Sequence, residues 1–221
     1  MGFELRSGGL YAQAELSPKV RARGSGGRVR RIAGIDVVVS PDKRQLVAAE
    51  VVLDVQLNLV DQCYAMVRIT FPYVPGFLSF REGPAVLAAL AKLRKPADLL
   101  IFDGQGRAHP RRFGLASHMG VLMNTPSIGA AKSRLISEHG RLGPRKGALS
   151  PLLDCGEQIG TVVRTRHAVR PVYVSVGHRI SLDAAVEWVL RCCPQYRVPE
   201  PTRLADQWVG QLKAEKFSPA V

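Results

Sequence analysis

The chain has 221 residues with 46% hydrophobic content, enough to bury one full core and too little to divide comfortably into two. No run reaches the roughly 18 apolar residues of a membrane span, the start lacks a signal core, and Arg6 stands where a myristoylation motif after Gly2 needs Ser or Thr. Membrane and lipid-anchored classes are set aside, and the expectation is a soluble, intracellular, cytoplasmic protein. A formal charge of +13 and a pI near 10.2 point instead to a polyanionic partner, nucleic acid first.

The charge is concentrated rather than spread. Residues 1–31 carry seven Lys/Arg against two acids, and residues 104–146 carry eight against one. Two such blocks around a nearly neutral remainder favour an electrostatic footprint over a merely solvated face. Residues 18–31, SPKVRARGSGGRVR, lack apolar periodicity, so 1–31 are read as a basic N-terminal arm, mobile or ordered by substrate, with little helical pattern beyond 11–16.

The core begins abruptly after it. Residues 32–39 (IAGIDVVV), 46–55 (LVAAEVVLDV) and 63–71 (CYAMVRITF) are β-rich, and Ser40-Pro41-Asp42-Lys43 reads as a turn, which predicts an antiparallel meander. Val86, Leu87, Leu90 and Leu93 at helical spacing predict a helix over 81–94, followed by the apolar strand 98–102 that ends before Asp103. Further on, a helix is expected over 112–122, strands over 126–130 and 171–176, and helices over 181–192 and 201–214. The basic stretch 137–150 reads as loop. Residues 32–215 therefore form one domain and 216–221 a tail. Three strands followed by alternating helices and strands predict an α/β fold with a mixed sheet and helices on its faces, with ligands collecting beyond the strand ends. The cysteines Cys63, Cys155, Cys192 and Cys193 form no C-x-x-C pair and no zinc spacing, and are expected to be reduced core residues.

Asp36 lies within an apolar strand, where an uncompensated carboxylate carries a large desolvation cost. Asp103 closes another apolar strand and runs into Gly104-Gln105-Gly106, a turn that lets backbone approach a ligand. Glu82 starts a helix and Asp206 lies in a C-terminal one, so the four acids converge only through the fold. A lone strand-end Asp is more often a cap or an ion-pair partner than a metal ligand. Clustered carboxylates suit Mg²⁺, a hard ion with oxygen ligands, and such ions serve phosphodiester hydrolysis.

The segments around these acids are AGID (33–36), FPYVPGFLSFRE (71–82), FDGQGRAHPRRFGLASHMG (102–120) and IGAAKSRL (128–135). They resemble the endonuclease V family, as do SVGHRISLDAA (175–185) and YRVPEPTRLAD (196–206). The resemblance spans about 32–208. It implies a ribonuclease-H-like mixed sheet, with three antiparallel strands and then parallel strands. The implied activity is Mg²⁺-dependent (or Mn²⁺-dependent) hydrolysis on the 3′ side of deoxyinosine or inosine, leaving a 3′-hydroxyl and a 5′-phosphate, in DNA repair. By resemblance Asp36, Glu82 and Asp103 bind the metal, and Asp206 matches a fourth position that is His in some members. Lys132 matches a catalytic lysine that stabilises charge on the phosphate or the attacking water. The wedge is Pro72, Tyr73, Val74 and Pro75, where two prolines stiffen a turn that holds Tyr73 between bases. Gly76, Leu78, Gly104, Gln105, Gly106 and His109 match the pocket for the flipped base, and Ser133, Arg134 and His118 match phosphate contacts.

Read without the resemblance, Tyr73 is a packed loop aromatic, Lys132 a phosphate clamp, and His118 and His178 are helix-packing and strand-end hydrogen-bonding residues. Family members usually begin with a longer helical segment than this arm suggests. Two other functions remain open, an inosine-specific RNA endonuclease and a non-cutting inosine-binding module, since no motif reports DNA against RNA. A different phosphoryl-transfer enzyme on a similar fold, such as a junction nuclease or an actin-like kinase, is disfavoured because no Walker-type loop is present and the PYVP segment favours the lesion nuclease, and a serine hydrolase at Ser117 because no G-x-S-x-G elbow surrounds it. The partner is DNA containing deoxyinosine or another deaminated base, or RNA containing inosine, bound by a monomer.

Overall fold

The computed structural model describes residues 2–217, arranged as one nine-stranded sheet with helices on both faces. Strands β1 (Ile32–Val39), β2 (Gln45–Leu53) and β3 (Leu59–Arg68) form the expected antiparallel meander. Apolar β-branched runs and the Ser40 to Lys43 turn produce it, with Ser40 N–H bonding the Gln45 carbonyl at 2.9 Å. Strands β4 (Leu99–Phe102) and β5 (Ser127–Ala131) join β1 in parallel, while β9 (Val172–His178) lies antiparallel to β5. All residues of β4 and β5 are buried, which suits a central parallel pair covered on both faces.

Helices α2 (Leu78–Leu90) and α3 (Leu115–Met123) cover one face. There Ala33, Ile35, Val52, Phe102, Val86 and Met119 pack together. Helices α4 (Leu182–Arg191) and α5 (Glu200–Phe217) cover the other, α4 over Val174 and Val176, and α5 over Val47 and Ala49 through Val209 and Leu212. Helix α5 crosses very close to β1, since a Cβ at Gly34 would stand 2.0 Å from the Pro201 carbonyl carbon. Only glycine allows that approach, and it brings Asp206 of α5 towards Asp36.

Three expectations are corrected. Helix α2 starts at Leu78 rather than 81 and ends at Leu90 rather than 94, with Pro84 inside it. Residues 137–163, expected as loop at the start and otherwise unassigned, form β6 (Glu138–His139), β7 (Leu149–Asp154) and β8 (Glu157–Val163), which extend the sheet between β9 and its edge. The β7–β8 hairpin turns on Cys155 (φ 51°) and Gly156 (φ 80°), both left-handed as a two-residue type I′ turn requires. Cys155 is consequently exposed, whereas the other three cysteines are buried as expected.

The arm is also corrected. Residues Gly2–Leu16 form α1, a fifteen-residue helix, followed by a 3₁₀ turn at Ser17–Lys19 and then the glycine- and arginine-rich loop. That loop runs beside the start of β5, where Arg21, Arg23 and Arg179 surround a shallow depression. At the other end Lys216 and Phe217 belong to α5, and residues 218–221 of the expected tail lie outside the described residues. Among the described residues no helix is long and apolar enough to cross a membrane.

Candidate active site

Strands β1, β4 and β5 run in the same direction; Asp103 and Lys132 directly follow the ends of β4 and β5, and Asp36 lies in β1 just past its last pair with β4, so the three share one rim of the sheet. Lys132 Nζ stands 2.6 Å from Asp103 Oδ2 and 3.8 Å from Asp206 Oδ1. The Lys132 backbone N–H also bonds Asp103 Oδ1 at 3.3 Å. Among the described residues no three Asp, Glu, His or Cys side chains close on a single point. Asp103 is turned to the lysine, the arrangement expected of like charges that repel one another and share one cationic side chain.

The acids nonetheless sense one another. Burial pushes the Asp36 carboxyl up to about 7, and the charges of Asp206 and Asp103 add to that push while Lys132 opposes it. Burial likewise carries Glu82 to about 8, with Asp36 and Asp103 raising it further and Arg81 opposing. Lys132 is lowered by burial, but its bond to Asp103 and the nearby Asp206 and Asp36 charges carry it above its ordinary value. A cluster of half-buried acids with displaced proton affinities beside a cleft has the electrostatic character of a functional centre.

The cleft itself is a cavity of about 410 Å³. One wall is Tyr73, Val74, Pro75 and Gly76, with Leu78 and Ser79 behind them; the other is Asp103, Gly104 and Gln105 with Lys132, Ser133 and Arg134. Tyr73 is 68% exposed at the tip of its loop. Beneath it Phe71, Phe77 and Phe80 stack with centroid separations of 5.8–6.3 Å, which ties the loop base to the body of the protein. The segments expected as wedge, base pocket and phosphate contacts therefore face one opening beside the acid cluster.

Some expected residues are placed elsewhere. Gly106 is not in the cavity wall. It is buried against β9, where a Cβ would stand 2.1 Å from the Val176 carbonyl oxygen, and its N–H bonds Ser175 Oγ at 2.9 Å. Pro72 is exposed and lies outside the lining. His118 is buried, its Nδ1 3.0 Å from Ser79 Oγ and its ring packed between Phe80 and Phe113, so it has the packing role and not the reach of a phosphate contact. His178 accepts a hydrogen bond from the Arg21 backbone at the opposite end of the sheet, as a strand-end histidine does. His109 lines the cavity, but both ring nitrogens are engaged. Burial holds it neutral at about 4, Nε2–H donates to the Gly76 carbonyl at 3.2 Å, and Nδ1 accepts from Arg111 N–H.

Three residues at the site were not singled out from sequence. Arg111 donates to the Gly76 carbonyl at 2.6 Å and Gln13 of α1 donates to the same oxygen at 3.1 Å. Arg197 donates to the Lys132 carbonyl and to Pro171, steadying the chain after β5. Arg111 and Arg197 stand in motifs already quoted, whereas nothing in the local pattern marks Gln13.

Comparison with known proteins identifies relatives over nearly the whole chain. The Endonuclease V family model matches residues 14–207. Endonuclease V of Rippkaea orientalis is 48% identical over 196 residues, covering 88% of this chain and 86% of the relative. Among solved structures, Endonuclease V of Streptomyces avermitilis superposes with a TM-score of 0.91 at 42% identity, over 99% of this chain and 95% of that one. Endonuclease V of Ciona intestinalis, solved with a 24mer DNA containing an inosine followed by a ribo-adenosine, gives 0.82 at 28% identity, over 97% of this chain and all of that one.

Proposed function

This chain belongs to the endonuclease V family, and we propose that it is a metal-dependent endonuclease that captures a deaminated base and hydrolyses a phosphodiester on its 3′ side. The observation that carries the reading is a cavity with Tyr73 on one wall and Asp103 and Lys132 on the other, beside Asp36, Glu82 and Asp206. Its volume lies in the range that accommodates small ligands, about 300–1,000 Å³, with room for an extruded base. The relative from Ciona intestinalis was solved on inosine-containing DNA, which supports hypoxanthine as the base.

The acids fit a divalent ion. They offer hard oxygen donors, and burial and mutual repulsion, only partly opposed by Lys132 and Arg81, carry Asp36 to about 7 and Glu82 to about 8, the character of carboxyls that a divalent ion would stabilise as anions. Asp36, Glu82 and Asp103 would hold Mg²⁺, or Mn²⁺ in its place, with Asp206 adjoining. When bound, the ion supplies Lewis acidity at the phosphate and a lowered proton affinity at the attacking water. The remaining work belongs to the chain. Tyr73 enters the gap that the extruded base leaves. Ser133 and Arg134 hold the neighbouring phosphate. Lys132 sets a positive charge against the charge that builds on the phosphoryl oxygens. Water oxygen bonds to phosphorus, the bond to O3′ breaks, and O3′ leaves with a proton, giving a 3′-hydroxyl and a 5′-phosphate.

A second reading, an inosine-specific RNA endonuclease, is favoured by one observation, the ribose that follows inosine in the Ciona intestinalis complex. Cleavage of matched DNA and RNA strands, each with one inosine or its adenosine control, decides between them. Metal-dependent cutting of the inosine strands alone supports the enzyme; inosine-selective binding without cutting supports a binding module.

A further inference from the structure

Over residues 7–16, helix α1 is built backwards for a helix that covers a core. Its buried positions there are Gly9 and Gln13, while Leu10 is 46% and Tyr11 73% exposed. Positions 9 and 13 are one turn apart and share a face. That face lies on the segment just after the wedge. A Cβ at Gly9 would stand 2.8 Å from the Phe77 ring, so the helix backbone rests directly on Phe77.

One turn on, Gln13 Nε2 donates to the Gly76 carbonyl at 3.1 Å and to the Phe113 carbonyl at 3.3 Å. Its Oε1 accepts from Arg111 Nε. Arg111 in turn donates Nη2 to Gly76 O at 2.6 Å and stacks its guanidinium 4.4 Å above the Phe77 ring. With His109 Nε2 at 3.2 Å, three donors from two separate parts of the chain converge on one carbonyl. Gly76 itself has φ +80°, a left-handed conformation that a side chain would strain, and its position leaves room for Arg111. So many donors on one loop carbonyl exceed what ordinary turn satisfaction requires.

We propose that α1 belongs to the recognition machinery, with Gln13, locked to Arg111, as the positioning residue that fixes Gly76 and holds the 72–76 loop at the angle needed to part a duplex. This rests on the lesion-nuclease reading above. Gln13 touches no substrate; it acts through the loop. The consequence is selective, because a loosened loop still admits a base that is already unpaired but no longer opens a paired one.

The test uses Gln13→Glu, which keeps an acceptor for Arg111 and loses both donations to carbonyls, and Arg111→Lys, which keeps the charge and loses the fork. For each variant, kcat/KM is measured on duplex and on single-stranded inosine DNA, and amide hydrogen exchange is followed over 73–77. The expected result is a duplex loss of about tenfold to a hundredfold, mostly in KM, with single-strand cleavage within about threefold. Exchange over 73–77 accelerates, and the double variant loses less than the product of the singles. Equal losses on both substrates, unchanged exchange in variants with native melting curves, or strictly multiplicative losses overturn the inference. If the wild-type protein cuts no inosine strand, the lesion-nuclease reading falls instead, and exchange alone decides whether Gln13 clamps the loop.

Discussion

Replacing Asp36 by Asn separates stability from function in a way that a structural carboxylate does not. In the unfolded chain this group releases its proton near 3.8, whereas the folded protein holds it up to about 7. A raised carboxyl value penalises the folded state, and the sign is fixed by that direction. The penalty is absent below pH 3.8, accumulates from there to about 7, and is constant above. Three decades at about 1.4 kcal/mol each give a full size of about 4 kcal/mol. Asn keeps the shape and an oxygen that accepts from the Val37 N–H but loses the charge that strengthens that bond, so a net gain of about 2–4 kcal/mol is expected at pH 8. For a chain of this length that is a rise of roughly 5–15 °C in Tm. The assay is thermal unfolding of both proteins in EDTA at pH 4 and pH 8. Asp36→Asn should melt higher than wild type at pH 8 and equally at pH 4. Mg²⁺ should raise the wild-type Tm and leave the variant nearly unmoved, and the variant should not cut. A variant less stable than wild type in EDTA at pH 8, or one with the same gain at both pH values, refutes the reasoning.

Glu50 is fully buried in β2 beneath α2, carried by burial to about 9, with Oε1 lacking a hydrogen-bond partner among the described residues. Glu50→Gln should stabilise by about 2–4 kcal/mol at pH 8 and not at pH 4, in urea titrations, with cleavage unchanged, the functional opposite of Asp36→Asn. Tyr73→Ala removes an exposed side chain, so Tm should move by less than about 2 °C. Cleavage of a paired inosine should nevertheless fall at least about tenfold relative to an unpaired one; a parallel fall on both contradicts the wedge role. Lys132→Ala should lower kcat about a hundredfold with little change in KM in single-turnover assays at saturating metal, whereas a change confined to KM reassigns Lys132 as a phosphate clamp.

The central sheet was legible because β1, β2, β4 and β5 are apolar runs bounded by turn residues, and that pattern survives folding intact. The rim was legible because Asp36 and Asp103 break apolar strands where a carboxylate is costly. Helix α1 was not legible, since over residues 7–16 its buried positions are glycine and glutamine while Leu10 and Tyr11 are exposed, the reverse of the signal that periodicity detects. Strands β7 and β8 were hidden by Pro151 and Gly160, both poor strand formers, and by a tight turn with Cys155 in a place where Asn or Asp is usual. The Gln13–Arg111–Gly76 contact joins residues about a hundred positions apart, and no local rule anticipates it. The placement of Gly106 shows the converse. A glycine in a ligand-binding motif can serve the packing of two strands rather than the ligand.

The most direct measurement is cleavage of matched DNA and RNA oligonucleotides, each with one inosine or its adenosine control, in Mg²⁺ and in EDTA. The account predicts cutting of inosine strands only, only with the metal, one phosphodiester on the 3′ side, with 3′-hydroxyl and 5′-phosphate ends. Cutting in EDTA, equal cutting of the adenosine controls, or tight inosine-selective binding with no cutting would contradict it.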